Sequence, residues 1–221
     1  MRIDEIKRRC EGILKRVPEH VTVLAAAKGR SPEEIRAAIA AGIAHVGENY
    51  VQEALSKRPH VPEPATWHMI GRLQRNKAKR ALEVFDWVQT LDSLKLAERL
   101  ERLLSREGKR LPVLVEVNIG REPQKAGVMP EEAADFIREL SRFPHLEVRG
   151  LMAIPPAPGD PEDSRPYFRE MRRLFEELGR EGIPGVEMEV LSMGMSADWE
   201  VAVEEGATMI RLGTLLFGPR D

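Results

Sequence analysis

Cysteine is almost absent from the 221-residue sequence, in which Cys10 is the only example. One cysteine excludes an internal disulfide and a cysteine-based metal site, and it suits a reducing cytoplasm. No apolar run reaches the roughly 18 residues that a membrane span requires, and the chain opens on a charged amphipathic segment without a basic, apolar leader. No histidine and carboxylate spacing indicates a metal site either. We therefore expect a cytoplasmic protein with neither a membrane partner nor a metal.

An excess of charge of one sign is also missing. The formal net charge is -2, and acidic and basic residues alternate along the chain without forming a basic stripe. This pattern argues against nucleic acid as a partner. Hydrophobic residues make up 42% of the chain and charged residues 32%, which is typical of a solvated globular protein. Since no domain boundary is visible, we expect residues 1–221 to form one domain and the protein to be a monomer.

Short β-type runs alternate with helical runs almost to the end of the chain. Several of these runs are continuously apolar, as parallel strands covered on both faces should be. The predicted strands are Val21–Ala27, Ile43–Gly47, Thr66–Ile70, Asp86–Leu91, Leu111–Ile119, Leu146–Ile154, Met188–Met193 and Thr208–Leu212.

The helices between these strands carry their own start and stop signals. Ser31-Pro32-Glu33-Glu34 predicts a capping box, Pro130 opens another acidic first turn, and glycines such as Gly108 and Gly179 are predicted to close helices. The repeat predicts a (β/α)₈ TIM barrel. The sequence leaves no room for a helix after the eighth strand, so the extra N-terminal helix is expected to fill that gap. An open doubly wound sheet is the structural alternative.

A lysine follows the first predicted strand. Ligand-binding groups of parallel barrels lie at the C-terminal ends of strands, so the amine of Lys28 should emerge there. The alanines before it and Gly29 after it leave space and partial desolvation, which favour a Schiff base. By position alone, however, a solvated lysine that begins a loop is the commoner case.

The last two predicted strands end in small hydroxyl residues and glycine. Barrels often bind phosphate in the loops after strands seven and eight, and here those loops supply Ser192, Ser196, Gly213 and Thr214. Ordinary turn chemistry would use the same residue types. A phosphate site beside a strand-end lysine predicts a phosphorylated aldehyde as the ligand.

Over nearly its whole length the sequence resembles the pyridoxal phosphate homeostasis proteins. The resemblance is carried by Ala27-Lys28, by Val46–Glu53, by Trp67–Lys77, by Gly150–Ile154 and by Leu191–Gly218. It implies a barrel similar to the N-terminal domain of alanine racemase, with pyridoxal 5′-phosphate bound covalently to Lys28. It also implies that the ring and phosphate are surrounded by Asn49, Ser192, Ser196, Arg211, Gly213 and Thr214. Gly29-Arg30 and Arg72 depart from the usual family pattern and affect the expected outer rim.

The resemblance implies a protein that holds pyridoxal phosphate and passes it on, with apo pyridoxal-phosphate enzymes as partners and at most weak catalytic activity. Arg211 at the pyridine nitrogen would keep that nitrogen unprotonated and weaken the ring as an electron sink, although it could instead pair with a carboxylate as a structural contact. The alternative is a racemase-like enzyme, which needs a second base. In alanine racemases that base is a tyrosine from an additional domain, and neither Tyr50 nor Tyr167 is well placed to replace it. A phosphate-binding barrel enzyme without this cofactor is a third possibility, but it leaves Lys28 without a task.

Several other residues have two interpretations. His68, on a predicted strand, is interpreted as a packed core histidine. Helix capping alone would explain Glu48 and Asn49. The segment Gly71–Lys77 is either an anion-binding helix start or a solvated basic segment.

Overall fold

In the computed structural model, which describes residues 2–219, eight parallel strands pair in chain order and close into one ring. Each observed strand end lies within two residues of its predicted position, and the prediction of a (β/α)₈ barrel is confirmed. The strands are β1 (Thr22–Ala26), β2 (His45–Glu48), β3 (Thr66–Met69), β4 (Trp87–Leu91), β5 (Leu111–Val117), β6 (Leu146–Ala153), β7 (Val186–Ser192) and β8 (Met209–Leu212).

Helices follow the strands and cover the outside of the ring. They are α1 (Arg2–Arg16), α2 (Pro32–Ala40), α3 (Val51–Lys57), α4 (Ala78–Ala81), α5 (Leu94–Glu107), α6 (Ala133–Leu140), α7 (Arg165–Glu181), α8 (Trp199–Glu204) and α9 (Thr214–Phe217). No helix within residues 2–219 is long and apolar enough to cross a bilayer.

The capping box predicted at the start of α2 is present. The Glu34 amide donates to Ser31 Oγ at 3.3 Å, and the Ser31 amide donates to Glu34 Oε2 at 2.8 Å. These bonds satisfy two main-chain donors that the first helical turn leaves free. The acidic start predicted at Pro130 is a 3₁₀ turn that leads into α6.

Pairing of β1 with β8 closes the ring. In this register Leu24 lies beside Arg211 and Ala25 lies beside Leu212. Helix α1 contacts both α2 and α9, so it packs where the two ends of the barrel sequence meet. This is the expected place for the extra N-terminal helix.

Two expectations about helix ends need correction. A single turn, α9, does follow β8, because Thr214–Phe217 fits one helical turn beside α1. Gly179 does not end α7, which continues to Glu181 and stops at Gly182. Gly182 has φ +63° with open space around it and takes the left-handed conformation that terminates the helix, whereas Gly179 packs within the helix against Met188.

Alternation along the strands separates the inner and outer faces of the ring. On β5, Val113, Val115 and Val117 belong to the apolar layer between strands and helices, so Leu114 and Glu116 point inward. A smaller apolar cluster inside the ring contains Leu24, Ile70 and Met209. Polar inward residues above this cluster line the C-terminal end of the barrel, called the mouth below.

Candidate functional site

All seven residues expected to bind a cofactor lie at the mouth, at or after the ends of β1, β2, β7 and β8. The structure brings them into two contacting pairs, Ser192 with Arg211 and Ser196 with Gly213. The side chains of Asn49 and Thr214 make no hydrogen bond to other residues in the described part of the chain. Lys28 lies at the next strand end to Gly213 because β1 and β8 are neighbours.

The Lys28 side chain is half-buried, and its Nζ lies 5.2 Å from the centroid of the Tyr50 ring. Gly29 has φ +69°, a conformation that other residues rarely adopt. Arg30 is buried and donates to the carbonyl oxygen of Gly218. Gly29 and Arg30 therefore form a tight turn that ties the Lys28 loop to Gly218.

A buried ionic cluster holds the main chain on both sides of Lys28. Lys57 Nζ donates to the Ala27 carbonyl oxygen at 3.0 Å, and the Gly29 amide donates to Glu53 Oε2 at 3.0 Å. Lys57 Nζ also lies 2.7 Å from Glu53 Oε2 and 2.7 Å from Glu48 Oε1. These contacts fix the peptide groups that flank the lysine. Sequence reasoning missed the cluster, for which the only signal was the i,i+4 spacing of Glu53 and Lys57.

Glu48 is fully buried, and its Oε2 has no hydrogen-bond partner within residues 2–219. Burial raises the pKa of its carboxyl to about 7, although the hydrogen bond and positive charge of Lys57 oppose that rise. Glu48 is thus a buried member of this cluster, where it accepts a hydrogen bond from Lys57 on α3. It does not cap the start of α3.

A hydrogen-bond chain crosses the inside of the barrel. Arg211 donates to Ser192 Oγ at 2.7 Å, and Ser192 donates to Gln89 Oε1 at 2.8 Å. Gln89 Nε2 lies 3.1 Å from His68 Nδ1, and His68 Nε2 lies 2.9 Å from His45 Nδ1. Burial and the nearby His45 lower the pKa of His68 to about 3, so the ring is neutral. An amide donor on Nδ1 requires the proton on Nε2, which then donates to His45.

His68 is therefore a packed core histidine, as interpreted, but one that is hydrogen-bonded on both ring nitrogens. Its link to Ser192 through Gln89 was not foreseen. Gln89 carries no motif signal, and its inward direction follows from the strand alternation at Val88.

Arg211 is a buried cation that is only 4% exposed and hydrogen-bonds neutral groups alone. Besides Ser192, it donates to the Ala153 carbonyl oxygen at 2.9 Å, and no carboxylate within residues 2–219 lies within 4 Å of it. Burial lowers the pKa of its guanidinium to about 10. A guanidinium has five N–H donors, so this arrangement leaves donors for an acceptor in the mouth. The structural alternative, pairing of Arg211 with a carboxylate, is not observed.

Ser196 and the first turn of α9 form a small oxygen-binding cup. Ser196 Oγ accepts from the amides of Gly213 at 3.2 Å and Leu215 at 3.4 Å. Asp198 fixes the same loop, because its carboxylate accepts from the Met195 amide at 2.8 Å and from the Ser164 hydroxyl at 2.7 Å. Hydroxyl and amide donors in a fixed loop suit the oxygens of a phosphate.

The loop before this cup requires a glycine. Gly194 has φ +92°, and a Cβ there would lie 2.5 Å from Ala202 Cβ. Close packing of the loop against α8 is therefore possible only without a side chain.

Glu116 is a further acidic group of the mouth that sequence reasoning missed. It points inward from β5, is 9% exposed, and has no side-chain hydrogen bond within the described residues. Burial and the neighbouring Asp92 raise its pKa to about 7, while Arg211 and Arg72 oppose the rise. In a closed ring of eight strands, β5 lies opposite β1. Glu116 therefore faces the side of the mouth that carries Lys28.

Comparison with known proteins gives a consistent result. The family model described as alanine racemase, N-terminal domain, matches residues 1–221. A pyridoxal phosphate homeostasis protein of Aquifex aeolicus is 42% identical over 219 residues, which span 99% of this chain and 95% of the relative. The protein of the same name from Escherichia coli K12 is 39% identical over 93% of this chain and 88% of the relative.

Solved structures match as well. PipY of Synechococcus elongatus with bound pyridoxal phosphate has a TM-score of 0.89 and 38% identity, with 96% of this chain and 100% of PipY covered. An alanine racemase from Clostridium difficile has a TM-score of 0.80 at 14% identity, so it shares the fold. This likeness covers 98% of the present chain and 56% of the racemase chain.

Replacement of Glu48 by Gln is expected to remove a pH-dependent loss of stability. Because burial raises the pKa of Glu48 from its ordinary value of 4.5 to about 7 in the folded protein, the folded protein keeps a proton that the unfolded chain releases. The free energy of unfolding should therefore fall as the pH rises through this window, by up to about 3 kcal/mol at about 1.4 kcal/mol per pKa unit. Urea unfolding at about pH 5 and about pH 8 measures the difference. The exposed Glu176→Gln should retain the wild-type slope, and an equal slope in Glu48→Gln would contradict the assignment.

Proposed function

Since this chain belongs to the alanine racemase N-terminal domain family and, within it, to the pyridoxal phosphate homeostasis proteins, we propose that it binds pyridoxal 5′-phosphate and helps to keep this cofactor available in the cell. We propose Lys28 as the point of covalent attachment, and Asn49, Ser192, Ser196, Arg211, Gly213 and Thr214 as the residues around the ring and phosphate.

The proposal rests on one observation. The amine of Lys28 and the oxygen-binding cup at Ser196 lie at the ends of neighbouring strands. The pairing of Ala25 with Leu212 sets the loop after β8 beside the loop after β1. Lys28 follows one of these strands, and Gly213 with its amide follows the other. To bind a phosphorylated aldehyde, the amine of Lys28 and the cup must be close enough for one small molecule to contact both.

The donor set fits this cofactor. The buried guanidinium of Arg211 donates only to neutral acceptors, and an unprotonated pyridine nitrogen is such an acceptor. The Gly213 and Leu215 amides converge on one oxygen, Ser196 Oγ, and a phosphate oxygen could accept from the same donors. No carboxylate takes part in this cup, as binding of a dianion requires.

The cofactor, when bound, supplies an aldehyde that condenses with amines and a conjugated ring that accepts electrons. Lys28 would hold it covalently, with its main chain fixed by Glu53 and Lys57. Arg211 would keep the ring nitrogen unprotonated, because a guanidinium can only donate there. This arrangement weakens the ring as an electron acceptor and supports a holding role over strong catalysis.

A weak side activity is a second candidate, and Glu116 is the observation that favours it. A carboxyl with a pKa of about 7 in the mouth could exchange a proton near neutral pH. Its position opposite β1 is where a second acid-base group would be needed. The holding function remains the main proposal because Arg211 disfavours the electron flow that such chemistry needs.

Replacement of Lys28 by Ala should abolish the yellow colour of the protein loaded with pyridoxal phosphate and leave the fold intact. Lys28 is half-buried and lies just after a strand end, so little stability depends on its side chain. The measurement is an absorbance spectrum with and without borohydride, followed by mass spectrometry of the reduced protein. Lys95→Ala, on the exposed face of α5, should stay yellow. A variant Lys28→Ala that remains yellow and borohydride-reducible would show that another amine holds the cofactor.

Replacement of Ser196 by Ala or of Thr214 by Val should weaken cofactor binding modestly. Several amides and hydroxyls share the phosphate, so each lost bond should cost about 1–3 kcal/mol. Titration of the protein without cofactor, followed by fluorescence, measures this change, with Ser105→Ala on α5 as the unaffected control. Unchanged affinity in both variants and in their combination would place the phosphate elsewhere.

The loaded protein should exchange the α-protons of common amino acids far more slowly than an ordinary racemase turns over. NMR in deuterated water measures this exchange. Rates of about 1–10³ per second would contradict the holding function. Any slow exchange that does occur should fall in Glu116→Gln and persist in Glu122→Gln, if Glu116 is the acid-base group.

A further inference from the structure

A pocket of about 450 Å³ opens at the mouth between the ends of β2 and β3. We call it the rim pocket, and the residues that matter here are Asn49, Tyr50, Gln52, Arg72, Gln74 and Lys77. It contains none of the residues after β7 and β8 that form the phosphate cup. Asn49 is the one proposed cofactor-binding residue that lines it.

The rim pocket is cationic. Among the residues that the structure describes, Arg72 and Lys77 are the only charged ones that line it, and Glu116, whose pKa Arg72 lowers, is not part of the lining. Neither of these two cations forms an ion pair or a side-chain hydrogen bond with any residue from 2 to 219. The surrounding amides of Asn49, Gln52 and Gln74 add further N–H donors. Elsewhere arginines are well paired, as Arg165 is with Glu162, Glu204 and Glu205. Unpaired cations around a concave space favour an anionic ligand.

The floor of the rim pocket is rigid. A Cβ at Gly71 would lie 2.2 Å from the Asn49 carbonyl oxygen, so the end of β3 packs directly on the Asn49 main chain. The buried Thr90 hydroxyl donates to the Gly71 carbonyl oxygen at 2.7 Å. Both contacts fix the main chain immediately before Arg72. The pocket is thus a built feature of the barrel and not a gap between loose loops.

The rim pocket adjoins Lys28. Tyr50 lines the pocket, and its ring centroid lies 5.2 Å from Lys28 Nζ. A small ligand with its anionic end between Arg72 and Lys77 would extend past Tyr50 toward the lysine. A ligand with a carboxylate at one end and an amine at the other would match this arrangement, with the carboxylate at Arg72 and Lys77 and the amine near Lys28.

From this arrangement we propose that the rim pocket binds the carboxylate of a free amino acid and directs its amine to the cofactor held by Lys28. The inference rests on the proposed function, because it needs an aldehyde carried by Lys28. The incoming amine, as its free base, adds to the carbon that is joined to Lys28 Nζ by a double bond, the bond from that carbon to Lys28 Nζ breaks, and two protons of the incoming nitrogen pass to Lys28 Nζ, which is left as a free amine. Neither an oxidant nor a reductant is consumed. The cofactor then leaves on the amino acid, so amino-acid concentration controls release.

Binding can be tested without cofactor by titrating the protein with propionate, which has the carboxylate and lacks the amine. NMR should show saturable shifts at residues around Gly71 in the wild type and none in the double variant Arg72→Met, Lys77→Met. The matched control removes two exposed cations of the same segment that do not line the pocket, Lys79→Met and Arg80→Met, and should bind as the wild type does. Equal shifts in both double variants, or no shifts in the wild type, would overturn the assignment.

Release is tested with the loaded protein by following its absorbance after addition of L-alanine or of ethylamine, which lacks the carboxylate. L-Alanine should release cofactor saturably and about tenfold or more faster than ethylamine at equal concentration of free amine, as expected for one charge-assisted contact. Propionate should slow the reaction with L-alanine and release nothing. The Arg72→Met, Lys77→Met variant should load normally and lose the preference for L-alanine.

The outcomes separate the two proposals. If Lys28→Ala loads and reduces as the wild type does, the attachment at Lys28 that the proposed function includes fails, whatever the pocket binds. If loading depends on Lys28 but L-alanine and ethylamine release cofactor equally in the wild type, only the rim pocket proposal fails. A third outcome would also overturn the rim pocket proposal. If an acidic peptide that lacks a free amine releases the cofactor faster than L-alanine does, the pocket binds a partner protein and not an amino acid.

Discussion

Closure of the ring through β1 and β8 is the constraint on which the rest of the site depends. The register that sets Leu24 beside Arg211 joins segments almost two hundred residues apart in sequence. Parallel strands all end at the same rim, so closure delivers the lysine after β1 and the glycine after β8 to one place. Helix α1 seals this seam from outside by packing on α2 and α9. Without the seam, the lysine and the oxygen-binding cup would be unrelated surface features.

Closure also creates a buried interior, in which charged groups need compensating partners. Arg211 is a buried cation there. Its hydrogen bonds to Ser192 and to the Ala153 carbonyl oxygen satisfy some of its N–H donors but do not neutralise its charge. The chain through Gln89 to His68 adds only neutral dipoles. Glu116 and Asp198 favour the charged guanidinium, yet burial raises the pKa of Glu116 to about 7. The mouth is therefore poised to accept a ligand with an acceptor atom, and ligand binding would relieve a cost already present in the fold.

Sequence alone predicted the barrel because strand length, apolar continuity and helix caps such as Ser31 are local signals. It also predicted a set of cofactor-binding residues, from strand ends and family resemblance, and this set stays a prediction. It failed where long-range packing decides. The cluster of Glu48, Glu53 and Lys57 depends on how α3 lies against β1, and the inward direction of Glu116 depends on the register of β5. The stop at Gly182 instead of Gly179 depends on which glycine meets β7.

If Lys28 holds the cofactor as we propose, its contacts explain how the same residue could also release it. Lys57 binds the Ala27 carbonyl oxygen before Lys28, and Glu53 binds the Gly29 amide after it. Lys57 is in turn paired with the fully buried Glu48. Lys28 is half-buried, and its amine lies 5.2 Å from the centroid of the Tyr50 ring. A fixed main chain lowers the entropy lost when the amine bonds to a ligand. In the proposed exchange, the amine would stay accessible from the rim pocket to a competing amine, so the main chain of Lys28 would provide firm binding and its side chain would provide exchange.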